Sequence, residues 1–384
     1  MTQIHCWNEY DSLKTVILGS VFDNDRIPET YQGIDQENFI KIVEETNQEL
    51  KNIQIVLQQF GVNVLRPKQP KSYNGLELPY HEPLINMRDF HMAYGNIFFM
   101  TYGPYHERRY QHLWIEEIVN NFILSGNLIV NANELNMDDG NKINYQNVLD
   151  NSQAIEYYNL KTEYDLLLKK KTDKILNLLK KNKHFEKYFN NEGKNLFDWY
   201  ILHQCKYKNK NLFHTASLLK FNKQAFLSTF NGNDIGNKWI ENWLRSLNVE
   251  IIYVPYAGHI DAKYAILNDD TLLRIGIINQ EITSHFKEVI EVETYPVPYL
   301  KDFPNLTNPT EWLTKWKKIN FSNKVNCNAL SIDKHNILLN FYDKNLFVKL
   351  KNSGINAEYV KWTNGDFWEG GLHCITCDIE RRPE

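Results

Sequence analysis

Short apolar runs recur along the chain and predict β-strands. They lie at 15–20, 63–67, 96–103, 127–132 and 250–256, and in the later segments YAILND, TLLRIGII and NALSID. Amphipathic stretches between some of them, at 36–61, 106–124 and 237–247, have apolar residues at helical spacing. Strands that alternate with helices predict an α/β fold. Because no linker rich in Pro, Gly or Ser interrupts the pattern, we expect a single domain over 1–384.

One segment departs from this alternation. The stretch around 164–211 is rich in lysine and asparagine, and apolar residues stand at helical spacing in its first half. This pattern predicts a helical insertion with a solvated face, and a surface for an acidic partner is the alternative.

Composition narrows the classes of function. A net charge of -4 and an isoelectric point near 6.3 argue against a nucleic-acid-binding face. No secretory signal is expected from the first residues, and no apolar run is long enough for a membrane span. Five cysteines in 384 residues favour a reducing compartment over a disulfide framework. We therefore expect a soluble cytoplasmic protein.

The C-terminal stretch EGGLHCITCDIERR, at 369–382, concentrates reactive residue types. A zinc site would need further ligands that no second CxxC or HxxxH provides, and a redox CxxC is expected at the start of a helix after an early strand. Two glycines allow a tight turn that presents one thiol in a pocket. From the residues alone, a buried structural cysteine and a nucleophilic thiol both stay open for Cys374.

Two other short segments combine charged groups with a predicted strand. In YAGHIDAKYAIL, His259 and Asp261 would point to the same face of a strand, where they could address one ligand together. In NMRDFHMAYGN, Arg88 and Asp89 precede an apolar strand, and taken alone they indicate a surface ion pair.

The order MRD, GHIDA and GGLHCITCD resembles the arginine:glycine amidinotransferase (glycine amidinotransferase) family. HCWNEYDSLKTVILGS and FNGNDIGNKWIENWLRSL are also similar to segments of that family, and the resemblance extends over the chain except around 164–211. It implies the pentein fold, a five-bladed pseudo-symmetric α/β propeller of ββαβ modules with the active site at the centre.

The resemblance also implies roles for individual residues. Cys374 would be the nucleophile that takes an amidino group from a guanidino donor, normally L-arginine, as an amidino-cysteine. His259 would be the general acid and base, Asp89 and Asp261 would bind the guanidinium, and Cys377 would be structural. The implied kinetics are ping-pong, with an amine as acceptor and with neither a metal nor another cofactor. The resemblance also allows for a homodimer.

One position departs from the family pattern. In FHTASLLKFNKQAF, His214 stands where the family has the aspartate that orients the catalytic histidine, and Lys220 and Asn222 replace an arginine and a glycine. A neutral imidazole can hydrogen-bond to His259 but adds no negative charge. Either the chemistry uses His214, or another carboxylate such as Asp234 replaces the missing one, or the protein binds substrate without transfer.

The choice of substrates rests on weaker signals. Tyr256, Ala257 and Gly258 before His259 are closer to the natural-product members of the family, so we expect an amine acceptor other than glycine, in specialised metabolism. Arg274 is the nearest match to the arginine that binds the donor carboxylate, but it is out of register. The alternatives are a guanidine hydrolase of the arginine deiminase type and a non-catalytic guanidine- or amino-acid-binding homologue; a redox protein is a more distant reading.

Overall fold

The structure is a computed structural model that describes residues 2–27, 34–71, 82–102, 108, 111–132, 213–230, 234–276, 278–292, 327–365 and 367–383. The predicted helical insertion around 164–211 lies outside the described residues.

The described strands form five sheets of three strands each. The strands of the first two sheets are β1 (Ser12–Leu18), β2 (Asn63–Leu65), β3 (His91–Tyr94), β4 (Ile97–Met100) and β5 (Leu128–Asn131). The third and fourth sheets contain β6 (Leu218–Phe221), β7 (Gln224–Phe230), β8 (Glu250–Ala257), β9 (Tyr264–Ile266), β10 (Thr271–Ile275) and β11 (Glu288–Val292). The last strands are β12 (Leu330–Ser331), β13 (Asn336–Leu339), β14 (Asn356–Tyr359) and β15 (Thr376–Arg382).

All five sheets share one topology. An antiparallel pair is followed by a third strand that is parallel to the second, as in β3–β4–β5 and β6–β7–β8. In the first sheet β15 supplies the leading strand, because it pairs antiparallel with β1, which pairs parallel with β2. The last strand of the chain thus completes the first module, and the modules repeat the ββαβ pattern that the resemblance implies.

Helices make the connection between each pair of parallel strands, which requires a crossover. They are α1 (Ile34–Gln59), α2 (Gln111–Trp114), α3 (Glu116–Leu124), α4 (Asp234–Ser246), α5 (Gln280–Thr283) and α6 (Lys344–Asn352). In α1 the predicted apolar positions Val43, Leu50, Ile53 and Leu57 are buried in the core. The helix ends just before Gly61, whose φ of +77° is available to glycine at little cost.

Two predicted elements differ from the structure. The predicted helix at 106–124 is divided, in its described part, into α2 and α3. The strand predicted to include His259 and Asp261 is wrong there, because β8 ends at Ala257 and a 3₁₀ helix covers Ile260–Ala262. Gly258 separates the two with φ of +103°, a backbone conformation outside the β region.

A short segment precedes the leading strand of every sheet. Three of these segments are 3₁₀ helices, at Met87–Asp89, Thr215–Ser217 and Ile260–Ala262, and the other two lie at 327–329 and 372–375. Hydrogen bonds join several of them: Arg88 donates its backbone N–H to the Cys374 carbonyl (3.0 Å), and Asn328 donates to the Asp261 carbonyl (3.2 Å). Thr215 donates to the Arg88 carbonyl, and the Cys374 N–H donates to Asn328 Oδ1, so residues from all five modules meet at one place.

Candidate active site

The turn before β15 places Cys374 at this meeting point. A Cβ atom on Gly370 would lie 2.0 Å from Asn86 Oδ1, and one on Gly371 would lie 2.5 Å from Asn328 Cβ. The two glycines are therefore required because neighbouring side chains approach the backbone closely. The Cys374 side chain at the end of this turn is buried, with 3% of its surface exposed.

Asn328 forms two hydrogen bonds with Cys374. Its Oδ1 accepts the backbone N–H of Cys374 (2.8 Å), and its Nδ2 donates to the sulfur (3.1 Å). The sulfur also lies 3.5 Å from Asp261 Oδ2. Burial raises the pKa of the Cys374 thiol well above its usual range, and the carboxylates of Asp261 and Asp89 raise it further. The site without substrate thus stabilises the neutral thiol.

The two oxygens of Asp261 have different surroundings. Oδ2 accepts hydrogen bonds from His373 Nδ1 (2.8 Å) and Asn328 Nδ2 (3.2 Å). Oδ1 is buried, and no hydrogen-bond partner for it exists among the residues that the structure describes. Burial by itself would raise the pKa of this carboxyl group, but the hydrogen bond and charge of His373 outweigh burial and lower it. Asp261 is therefore an ionised, buried acceptor with one unused oxygen.

Asp89 faces the same site from the segment before β3. Its Oδ2 pairs with Arg108 Nη1 (2.7 Å), and its Oδ1 lies 3.6 Å from His259 Nδ1. The Arg108 guanidinium also lies 4.7 Å from the ring centroid of Phe90 and 3.5 Å from Glu82. One of the two predicted guanidinium-binding aspartates is thus paired with a guanidinium of the chain itself.

The two predicted histidines are in direct contact. His214 Nδ1 lies 3.1 Å from His259 Nε2, so one ring donates to the other. His214 is 1% exposed and packs edge-on against Phe90 with ring centroids 4.9 Å apart, whereas the His259 side chain is 29% exposed. The structure places Asp89 beside His259. Asp234, the other carboxylate considered, begins α4, and its side chain lies outside the described residues.

Behind the site lies a buried network of opposite charges. Arg88 pairs with Asp378 (2.9 Å) and Glu9 (3.4 Å), and Lys220 lies within 3.5 Å and 3.7 Å of the same carboxylates. The interpretation of Arg88 and Asp89 as a surface ion pair is therefore wrong, because both side chains are buried and Arg88 binds other carboxylates. The lysine at position 220 keeps a cation in this network.

The two remaining predicted residues, Arg274 and Cys377, have contacts within the protein itself. Arg274 pairs with Glu291 (2.7 Å) and donates to the Gly276 carbonyl (2.5 Å). Its guanidinium is therefore bound by residues at the β10–β11 pair. Cys377 is buried in β15, and its thiol donates to the His91 carbonyl (3.4 Å).

Sequence reasoning missed several residues of the site. Asn328, Glu9 and Arg108 were given no role, and neither was His373, although it stands in the motif GGLHCITCD. Asn328 and His373 each lie just before the leading strand of a module. A search of that position in every module would have found these two. No group of His, Cys, Asp or Glu side chains within the described part of the chain is arranged to hold a metal ion. Nor do the described helices include one long and apolar enough to cross a membrane.

Comparisons with known proteins agree with this architecture. No family model matches the chain. Glycine amidinotransferase from Xenopus tropicalis is 26% identical over 158 residues, which are 39% of this chain and 34% of that protein. L-arginine:L-lysine amidinotransferase from Pseudomonas savastanoi pv. phaseolicola is 24% identical over 177 residues, 44% of each chain. The matches thus span less than half the length of these curated relatives.

Solved structures match over almost the whole chain. Inosamine-phosphate amidinotransferase from Streptomyces griseus has a TM-score of 0.63 at 15% identity, covering 100% of this chain and 98% of its own. An amidinotransferase of the saxitoxin biosynthetic pathway from Microseira wollei has a TM-score of 0.62 at 14% identity, covering 99% and 98%. A product-bound arginine dihydrolase domain from cyanobacteria has a TM-score of 0.52 at 12% identity, covering 97% and 98%. The predicted similarity to amidinotransferases and the pentein fold are confirmed.

Proposed function

We propose that this protein is an amidinotransferase in which Cys374 receives the amidino group. The proposal rests on one observation above the others: the Cys374 sulfur lies 3.5 Å from Asp261, whose Oδ1 is buried and unused by the described residues. A planar guanidinium offers a fork of N–H donors that matches such a carboxylate. The similarity to curated amidinotransferases supports the same reaction class.

Binding of the donor would activate the thiol. The pKa of Cys374 is raised by burial and by the carboxylates of Asp261 and Asp89. A guanidinium between these two carboxylates adds a positive charge next to the sulfur, which favours the thiolate. The nucleophile is thus expected to form mainly when its substrate is in place.

His259 would move the protons. His259 takes the proton of the Cys374 thiol, and the resulting thiolate forms a bond to the central guanidinium carbon. The bond from that carbon to the leaving amine breaks, and His259 gives its proton to the amine. After this product leaves, His259 takes a proton from the acceptor amine, which attacks the amidino-cysteine and breaks the C–S bond. Since His259 Nε2 faces His214, its Nδ1 faces the site beside Asp89.

The substrates proposed are L-arginine as donor and an amine other than glycine as acceptor, in a cytoplasmic pathway of specialised metabolism. The segment Tyr256, Ala257 and Gly258 before His259 supports this acceptor class. Structural similarity to an inosamine-phosphate amidinotransferase and to an amidinotransferase of the saxitoxin biosynthetic pathway supports it too.

The alternative function is binding of a guanidino compound without transfer. His214 is the observation that favours it, because an imidazole in place of a carboxylate supplies no negative charge to a protonated His259. A hydrolase, in which water replaces the acceptor amine, is the remaining alternative.

The decisive experiment is intact-mass analysis after incubation with arginine alone, with Cys374→Ala as control. We expect a mass gain of one amidino group and release of ornithine, both absent in the variant. Continuous formation of citrulline or urea would identify a hydrolase. Arginine binding without adduct or ornithine would identify a binding protein.

A further inference from the structure

His373, the residue before the nucleophile, lies between two carboxylates. Its Nδ1 is 2.8 Å from Asp261 Oδ2 and its Nε2 is 3.2 Å from Glu9 Oε2. Carboxylate oxygens accept hydrogen bonds, so both ring nitrogens must donate, which requires the imidazolium form. The alternative, a proton on Glu9, is disfavoured because Arg88 and Lys220 also pair with this carboxylate.

The charges around His373 are consistent with an imidazolium. Despite burial, contacts with Lys220, Arg88 and His373 lower the pKa of Glu9 to about 2. Burial and the charge of Arg88 disfavour a protonated His373, but the hydrogen bonds that it donates to Asp261 and Glu9 prevail and raise its pKa.

A charge count shows what this imidazolium adds to the buried cluster. The buried ionic groups around His373 comprise three carboxylates and three permanent cations, which cancel. They are Glu9, Asp261, Asp378, Arg88, Lys220 and Arg381. The proton on His373 is therefore the excess positive charge of this set, on the residue next to Cys374. A buried charge of this kind is costly unless it is paired, and both of its donors are paired here.

The contact with His373 also decides which oxygen of Asp261 is used. Oδ2 is occupied by His373 and Asn328, which leaves Oδ1 for a ligand. We propose that His373 is a positioning residue for donor binding: as an imidazolium between Glu9 and Asp261, it keeps Asp261 ionised and presents Oδ1 to the guanidinium. This inference rests on the proposed function, because it concerns the same donor site.

The test compares His373→Asn with the unaltered protein. Asparagine keeps one N–H donor near the Nδ1 position but removes the charge. The probe is guanidinium ion, at concentrations far below those that unfold proteins. Although the bound ion favours the thiolate, it would fill the space between Asp261 and the sulfur through which iodoacetamide must approach. Binding is therefore read as protection of Cys374 from iodoacetamide, by mass spectrometry of its peptide. The matched control is His335→Asn, the same substitution at an exposed histidine.

In the unaltered protein, protection is expected to change little between about pH 6 and 8. In His373→Asn the buried Asp261 loses its counter-charge and takes up a proton, because burial favours the neutral carboxyl group. Protection at neutral pH should then weaken by roughly tenfold or more and recover as the pH rises. His335→Asn should behave as the unaltered protein.

Three results would overturn the proposal. These are unchanged protection in a folded His373→Asn protein, a loss of protection that is equal at every pH, or no protection of the unaltered protein by guanidinium. If the variant does not fold, ¹⁵N spectra of the histidine-labelled unaltered protein decide instead: His373 should hold both ring protons at neutral pH, and a neutral ring there contradicts the proposal.

The test of His373 distinguishes failure of this inference from failure of the proposed function. Protection by guanidinium requires binding only, so a pH-dependent loss in His373→Asn supports the role of His373 even if arginine leaves no amidino group on Cys374. Failure of that transfer would count against the reaction and not against His373.

Discussion

The two sides of the Cys374 thiol are built from the same residue types but differ in their surroundings. On one side Asp261 contacts His373 at 2.8 Å, and both are buried. On the other side Asp89 lies 3.6 Å from His259, whose side chain is 29% exposed, and pairs with Arg108, which is 12% exposed. Asp89 is buried as well, so the difference lies in the partners: the first side is a closed set of paired charges, and the second is partly open to solvent through His259.

Because their surroundings differ, the two aspartate–histidine pairs are suited to different tasks. A histidine with both nitrogens bound to buried carboxylates cannot release a proton without leaving a charge unpaired, so His373 is suited to fix a charge. His259 has an imidazole partner and solvent access, so it can gain and lose a proton during a reaction. Histidine thus has a structural role at position 373 and a chemical role at position 259.

The largest expected effect comes from comparing Asp261→Asn with Asp89→Asn. Asp261→Asn leaves the His373 imidazolium without one carboxylate and should lower the free energy of unfolding by about 3–5 kcal/mol. Asp89→Asn should cost only about 1.5 kcal/mol, because Arg108 has access to solvent and to Glu82. Urea unfolding of both variants measures this difference.

Both variants should also fail to form the amidino adduct with arginine. Equal destabilisation of the two proteins would contradict the distinction between a closed and an open side. Adduct formation at the normal rate in either variant would show that this aspartate does not bind the donor.

An intermediate effect is expected from His214→Asp. A carboxylate at this position favours the protonated form of His259, as an opposite charge within hydrogen-bond distance does. The alkaline limb of the rate of adduct formation should move about one pH unit higher, which raises the rate above that limb by about tenfold. Rapid-quench mass analysis across pH measures it.

The matched control is His214→Asn, which keeps an acceptor without the charge and should leave the alkaline limb in place. An equal shift in both variants would mean that geometry, and not charge, governs His259.

The smallest effect is expected from Arg108→Gln. Because Arg108 occupies Asp89 in the absence of substrate, its removal should strengthen guanidinium binding about two- to fivefold, as expected if the ion pair has a net worth of about 0.5–1 kcal/mol. Protection of Cys374 from iodoacetamide measures the affinity, with Arg26→Gln, which removes an exposed ion pair to Asp23, as control. Weaker binding in Arg108→Gln would show that Arg108 assists the ligand instead of competing with it.

Much of the fold follows from local patterns. The apolar run at 250–256 became β8, the periodic segment at 36–61 became α1, and the glycines at 370 and 371 do form a tight turn before Cys374. These features depend on neighbouring residues, because periodicity and turn chemistry are properties of consecutive positions. The motifs that contain Asp89, His259 and Cys374 were likewise sufficient to indicate the family resemblance.

Only the tertiary structure decided which residues of the site contact each other. His373 meets Asp261 across 112 positions and Glu9 across 364 positions of the chain, and Asn328 reaches Cys374 across 46. Local periodicity does not report such pairs, because the five modules bring them together only after the last strand has joined the first sheet. The amino-acid sequence by itself determined the elements and the reactive residue types. The assembly of the five modules determined how each aspartate is paired, which histidine lies between two carboxylates and which oxygen of Asp261 is left for a ligand.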